Sequence, residues 1–165
     1  MSGNVVAIYV AAAAGEPMEA REAARAVPGR GLEGDRYFSG AGLFSEKAAR
    51  GREVTEVTLI EDEVIEHLRR DLRLDVRAPD SRRNIVTRSV ALNDLVGVEF
   101  SIGEARFRGA GLCEPCVSLV KSSENRHLLR GLVHKGGLRA RILRQGLIRV
   151  GDEVDAPAPA KPAQG

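Results

Sequence analysis

Hydrophobic and polar positions along the chain predict a succession of short elements. VVAIYV (5–10) is short and β-branched, which predicts a buried first strand. EPMEAREAARAV (16–27) predicts a short helix stopped at Pro28-Gly29. PGRGLEGDRYFSGAG (28–42) is glycine-rich with few apolar positions and predicts a long loop, the kind that tends to carry function. EVTEVTLI (53–60) alternates Val54, Val57 and Leu59 as a strand does. In EDEVIEHLRRDL (61–72), Val64, Ile65, Leu68 and Leu72 fall on one helical face, with Glu61, Asp62 and Glu63 in the first turn where the helix dipole favours acids. Residues 73–97 are polar and irregular, then periodic around Val90, Leu92 and Leu95. VEFSIGEARFRG (98–109) is the clearest hairpin, turning at Gly103-Glu104. Residues 124–143 read as helix, turn and strand, and GLIRVGDEVDA (146–156) as a second hairpin turning at Gly151-Asp152. Many short strands, few helices and frequent glycine turns predict a mainly β fold, a β-barrel with a few peripheral α-helices. Strands and helices do not alternate as βαβ units require.

Length and composition narrow this picture. A chain of 165 residues, 43% apolar and 29% charged, suits one globular domain. We expect that domain over residues 1–155, and a disordered Ala/Pro tail over 156–165. The net charge of +2 is too small to argue for bulk nucleic-acid binding. No apolar run approaches the roughly 20 residues of a membrane span, and the first residues carry no positive segment of a secretory leader. With two cysteines the chain is not a secreted disulfide scaffold, so a cytoplasmic protein with reduced thiols is expected. The basic residues are mostly arginine, which favours bidentate recognition of phosphate or carboxylate.

The two cysteines form one C-x-x-C, GAGLCEPCVSLVK (109–121). Four uses compete. Cys113 and Cys116 with His127 and His134 would make a zinc site, although the histidines stand seven apart rather than three to five. A thioredoxin-like redox pair would need a preceding parallel strand and a following helix, where here a hairpin precedes. Both thiols could be buried small hydrophobes, although Gly109, Gly111, Glu114 and Pro115 predict an exposed loop. Lastly, one thiolate could carry sulfur or ligate a soft metal, with Pro115 fixing the direction of Cys116.

Six segments, in order, resemble the MOSC domain, named for the C-terminal domain of molybdenum cofactor sulfurase: GRGLEGDRYF (29–38), VTLIEDEVIEHL (57–68), SRRNIVT (81–87), LNDLVGVEFSIGEARF (92–107), CEPC (113–116) and HKGGLRARILRQGLIRVGDEV (134–154). Together they are similar to the small stand-alone bacterial members. The resemblance implies a β-barrel and one functional cysteine, Cys116, with Cys113 as an additional thiol. It places the family's Gly-Asp-Arg on Gly34, Asp35 and Arg36, with Tyr37 where many members have His, and the Asn-Ile pair on Asn84 and Ile85. It implies molybdenum cofactor (molybdopterin) binding and reduction of small N-hydroxylated substrates, with Cys116 as catalytic residue and molybdenum ligand. The alternative it implies is a sulfur carrier holding a persulfide on Cys116, without a bound cofactor or turnover of its own, supplied by a pyridoxal-phosphate-dependent cysteine desulfurase.

If the cofactor binds, Arg36, Arg82 and Arg83 are candidates for its phosphate and Asn84 for its pterin, with Cys113, Gly136 and Gly137 as further cofactor-binding candidates. Gly136-Gly137 would permit close backbone approach or simply make a turn. Asp35 would hold Arg36 or cap a turn. Electrons must come from an external donor protein, because the chain carries no flavin, haem or iron–sulfur signature and two cysteines cannot hold a four-thiolate cluster. Neither a nucleic acid nor a membrane is expected as partner.

Overall fold

The structure, a computed structural model, describes residues 2–13, 15–38, 55–113 and 135–157. Its strands are β1 (Ser2–Val10), β2 (Glu19–Arg21), β3 (Ala23–Val27), β4 (Gly31–Leu32), β5 (Val57–Glu61), β6 (Ile85–Arg88), β7 (Glu99–Ile102), β8 (Ala105–Leu112), β9 (Leu138–Arg144), β10 (Gly146–Arg149) and β11 (Glu153–Asp155). One α-helix, α1 (Asp62–Arg70), and two 3-10 turns, Ala78–Ser81 and Leu92–Leu95, accompany them among the described residues.

The large sheet runs β11-β7-β8-β9-β5-β6-β1-β2, and β11 also pairs with β1. That last pairing closes seven strands into a barrel, with β2 appended outside the ring. Closure leaves those strands without free edges. A three-stranded sheet, β10-β3-β4, lies beside it. The barrel is filled by inward side chains of both sheets, among them Val5, Ile8, Leu59, Ile85, Phe100, Phe107 and Leu138. Phe100 and Phe107, opposite each other on β7 and β8, stack with centroids 5.5 Å apart.

The β7–β8 hairpin forms where alternation predicts it, with Gly103 at positive φ in the turn. Helix α1 also forms: Val64, Ile65 and Leu68 bury against Ile60, Val76 and Val86. Fully buried apolar side chains of this size contribute about 1.5–3 kcal/mol each. The predicted face overreaches by one residue, because Leu72 lies beyond the helix and is exposed.

Other expectations are corrected. Residues 16–27 are not helical but form β2 and β3. Their alanine-, glutamate- and arginine-rich composition favours helix, yet Ala24 and Ala26 face inward and β3 pairs with β10, more than 100 residues away. Tertiary pairing overrides local propensity. β6 arises in the stretch read as irregular, because Ile85, Val86 and Thr87 are all buried and show no alternation. One βαβ unit is present after all: β5 and β6 are parallel and α1 connects them. The turn at Gly151-Asp152 forms, but its arms do not pair with each other. β10 joins β3, whereas β11 joins β7 and β1. Gly109 and Gly111 lie within β8 rather than in a loop. Ala156 is packed into the core, so the chain is anchored one residue further than expected. Cys116, Val54, the expected helix from 124 and the tail from 158 lie outside the described residues.

Candidate functional site

Four separated stretches meet at one place on the barrel: Asp35-Arg36-Tyr37 after β4, Arg82-Arg83-Asn84 before β6, Cys113 after β8, and Gly136-Gly137 before β9. The first is organised by a buried carboxylate. Asp35 Oδ1 accepts from the Ala11 N–H at 3.0 Å and from Arg36 Nη1 at 3.1 Å, and Oδ2 accepts from the Tyr37 N–H at 3.4 Å. The sequence left open whether Asp35 holds Arg36 or caps a turn; it does both. Arg36 is then threaded inward, donating to the Arg82 carbonyl at 3.0 Å, with its guanidinium 4.6 Å from the Tyr37 ring centroid.

Arg82 caps the 3-10 turn in the left-handed conformation, φ 61°, and donates to the Glu16 carbonyl at 2.6 Å. That backbone kink sends Arg83 the other way. Arg83 is 7% exposed, and its Nε donates to the Gly136 carbonyl at 2.7 Å. Among the described residues only Thr87 Oγ1 is a sealed side-chain polar atom without a partner, so the remaining nitrogens of Arg83 keep access to space outside the fold.

Asn84 is fully buried and spends its carboxamide inside the barrel. Its Oδ1 accepts from the Thr58 N–H and hydroxyl, both at 3.1 Å, and its Nδ2 donates to the Tyr9 carbonyl at 3.1 Å. The expected direct contact with a ligand is therefore replaced by a positioning role: Asn84 fixes where β6 begins, and with it Arg82 and Arg83.

Cys113 is 1% exposed, which corrects the exposed loop expected there, and its N–H donates to the Gly137 carbonyl at 2.8 Å. A Cβ at Gly136 would lie 1.9 Å from the Cys113 carbonyl oxygen, and one at Gly137 1.9 Å from the Leu59 carbonyl oxygen. The double glycine thus permits close approach, but to the chain's own backbone. Tyr37 senses this whole cluster. Burial pushes its phenol above 10.0; Arg36 and Arg83 pull the other way, and Cys113 and Asp35 add to the rise. A neutral hydroxyl is held there at physiological pH. Burial, then the charge of Arg36, lowers the Arg82 guanidinium below its ordinary value.

Of the residues expected from sequence, Arg36, Arg82, Arg83, Cys113, Gly136 and Gly137 come together here, with Asn84 behind them. Cys116, the expected metal ligand, lies outside the described residues, as do His127 and His134. No cluster of three or more metal-ligating side chains occurs among the described residues. The ring of Tyr37 under Arg36 was missed; its signal was adjacency to Arg36. With Arg36 neutralised by Asp35, Arg82 and Arg83 remain as positive charges without a carboxylate among the described residues. This arrangement suits an anionic group such as phosphate.

One residue from Gly136, Lys135 lines a separate cavity of about 530 Å³ with Glu61, Glu63, His67 and Asn93. Burial, and behind it the charge of Glu63, pushes the Glu61 carboxyl above its ordinary 4.5, against a hydrogen bond from the Leu92 backbone. The folded protein holds this proton more tightly than the unfolded chain does. Glu61 therefore costs stability as pH rises from 4.5 through its raised value. Glu61→Gln is expected to raise Tm at neutral pH, with the gain vanishing at about pH 4; thermal melts across that range check the sign.

A family profile described as MOSC domain matches residues 46–155. Among solved structures, the YuaD protein of Bacillus subtilis is 17% identical with TM-score 0.77, covering 94% of this chain and 96% of that one. YiiM from Escherichia coli is 16% identical with TM-score 0.69, covering 98% and 72%. YiiM from Geobacillus stearothermophilus is 14% identical with TM-score 0.69, covering 94% and 75%. At such identities the likeness speaks to the fold. No curated protein matches the sequence. Among the described residues, no helix is long and apolar enough to cross a membrane.

Proposed function

The chain belongs to the MOSC domain family, and on that premise we propose that it binds the molybdenum cofactor and reduces small N-hydroxylated compounds. The observation carrying this reading is the convergence of Arg82 and Arg83 with Cys113 and the Gly136-Gly137 backbone, from segments far apart in sequence. The donor set fits the group: two guanidiniums without carboxylate partners suit its phosphate, and a thiolate at Cys116 suits a soft metal. Two residues, Glu114 and Pro115, separate Cys116 from Cys113, and those three steps of chain reach at most about 11 Å.

Arg82 and Arg83 would hold the phosphate. Arg36, anchored by Asp35, braces the Arg82 carbonyl, and Asn84 sets the start of β6. Gly136 presents the carbonyl that orients Arg83, and Gly137 lets that strand begin against β5. When bound, the cofactor would supply the two-electron chemistry by which R–NHOH, two electrons and two protons give R–NH2 and water. Electrons would come from a separate donor protein.

Protein purified from a cofactor-producing host is expected to carry close to one molybdenum per chain. Cys116→Ser should lower retained molybdenum on the order of tenfold or more, and wild type should reduce a hydroxylamine-bearing purine or amidoxime with reduced methyl viologen. Wild type lacking molybdenum but heavier by one sulfur on Cys116 would sink this reading. It would establish instead a sulfur carrier loaded by a pyridoxal-phosphate-dependent desulfurase.

A further inference from the structure

The outer face of β8 and β9 carries an arrangement that the site does not use. Arg106 stands opposite Arg144, and Arg108 opposite Arg141. All four are exposed. Like charges directly opposite on antiparallel strands are destabilising. Glu99, which stands opposite Arg108 on β7, is drawn instead to Arg106 at 2.8 Å; Arg108, Arg141 and Arg144 make no ion pair among the described residues. A bulge between Arg106 and Phe107 adds Leu143 to β9, and this leucine is 42% exposed beside the arginines. The aromatic residues of this hairpin, Phe100 and Phe107, point into the core. Among the described residues the face therefore offers an apolar residue among guanidiniums and no ring on which a base could stack.

We propose that this face docks the acidic surface of an electron-carrier protein, flavin- or iron–sulfur-bearing, an inference that rests on the reductase reading for the carrier's purpose. Carboxylates on the carrier would pair with Arg108, Arg141 and Arg144 and relieve the repulsion the fold leaves in place. β8 links the two places directly, since it continues from Arg108 into Cys113, about 17 Å along the strand.

The test is titration of the full chain with a flavodoxin and a plant-type ferredoxin, both acidic, at low and physiological salt. Wild type is expected to bind at least one carrier, more weakly as salt rises. Arg141→Glu/Arg144→Glu, which sets opposite charges across from Arg108 and Arg106, should raise Kd about tenfold or more with Tm not lowered. Arg141→Gln/Arg144→Gln should fall between. If wild type also turns over, KM for the carrier should rise in the variants while the methyl viologen rate stays put. Loss of carrier binding in the variants without any viologen-driven turnover in wild type would uphold the docking face and defeat the reductase reading. Failure of both carriers to bind wild type would overturn the inference. So would binding unmoved by the reversals, or competition by duplex DNA for the same arginines.

Discussion

Gly137→Ala is expected to destabilise the fold by about 4 kcal/mol or more, lowering Tm by about 10 °C. Two independent obstacles meet at this position. Gly137 has φ +106°, a conformation that L side chains rarely adopt, and a Cβ there would stand 1.9 Å from the Leu59 carbonyl oxygen and 3.0 Å from its carbon. Both contacted atoms are backbone of β5, which is hydrogen-bonded on both sides, to β6 and β9, and cannot swing away as a side chain would. The substitution must push β9 off β5, and with it the Gly137 carbonyl that receives the Cys113 N–H. Gly97→Ala is the control. It shares a positive φ, +76°, but has nothing within 4 Å of the added carbon, so it should cost only about 1–2 kcal/mol. Denaturant melts of the two variants measure the difference; equal losses would show that conformation alone, not the close approach to β5, decides.

Asp35→Ala should cost about 3–5 kcal/mol, the penalty for stranding one member of a buried ion pair. Asp35 and the Arg36 side chain are both buried. Removing the carboxylate also leaves the Ala11 and Tyr37 N–H groups without their acceptor. Arg36 would keep its bond to the Arg82 carbonyl and its place over Tyr37, neither of which is a counter-charge. The double variant Asp35→Ala/Arg36→Met removes the charge together with its partner and should recover a substantial part of the loss. If the single variant melts within about 1 kcal/mol of wild type, Asp35 is not the organiser of this site. Loss of order here should also reach Arg82, so if the proposed cofactor binds, retained molybdenum should fall alongside stability in the single variant.

Local patterns were legible where the physics is local. The 98–109 hairpin needs only alternation and a two-residue turn, both contiguous in sequence. α1 needs only a repeating apolar face, and its amphipathic stripe is complete within nine residues. The pattern was misleading at 16–27, where helix-favouring residues form strands because β10 supplies an edge from the far end of the chain. It was silent at β6, because a strand covered on both faces has no alternation to read. The site divides in the same way. Its residue types, Arg, Asn, Cys and paired Gly, stand out in the sequence, but their division of labour does not. Asn84 and Gly137 turned out to face the chain's own backbone, and Arg83 to lean on a carbonyl 53 residues away.

By itself the sequence established a mainly β chain, its hairpin and helix, and the family to which its ordered motifs belong, since these depend on residue identity and short-range periodicity. Only the tertiary structure decided that β11 meets β1 to close the barrel, that β5 and β6 run parallel, and that Arg82, Arg83, Cys113 and the double glycine share one place. Those outcomes depend on long-range hydrogen bonding and burial, in which each segment's partner lies too far along the chain for any local pattern to announce it.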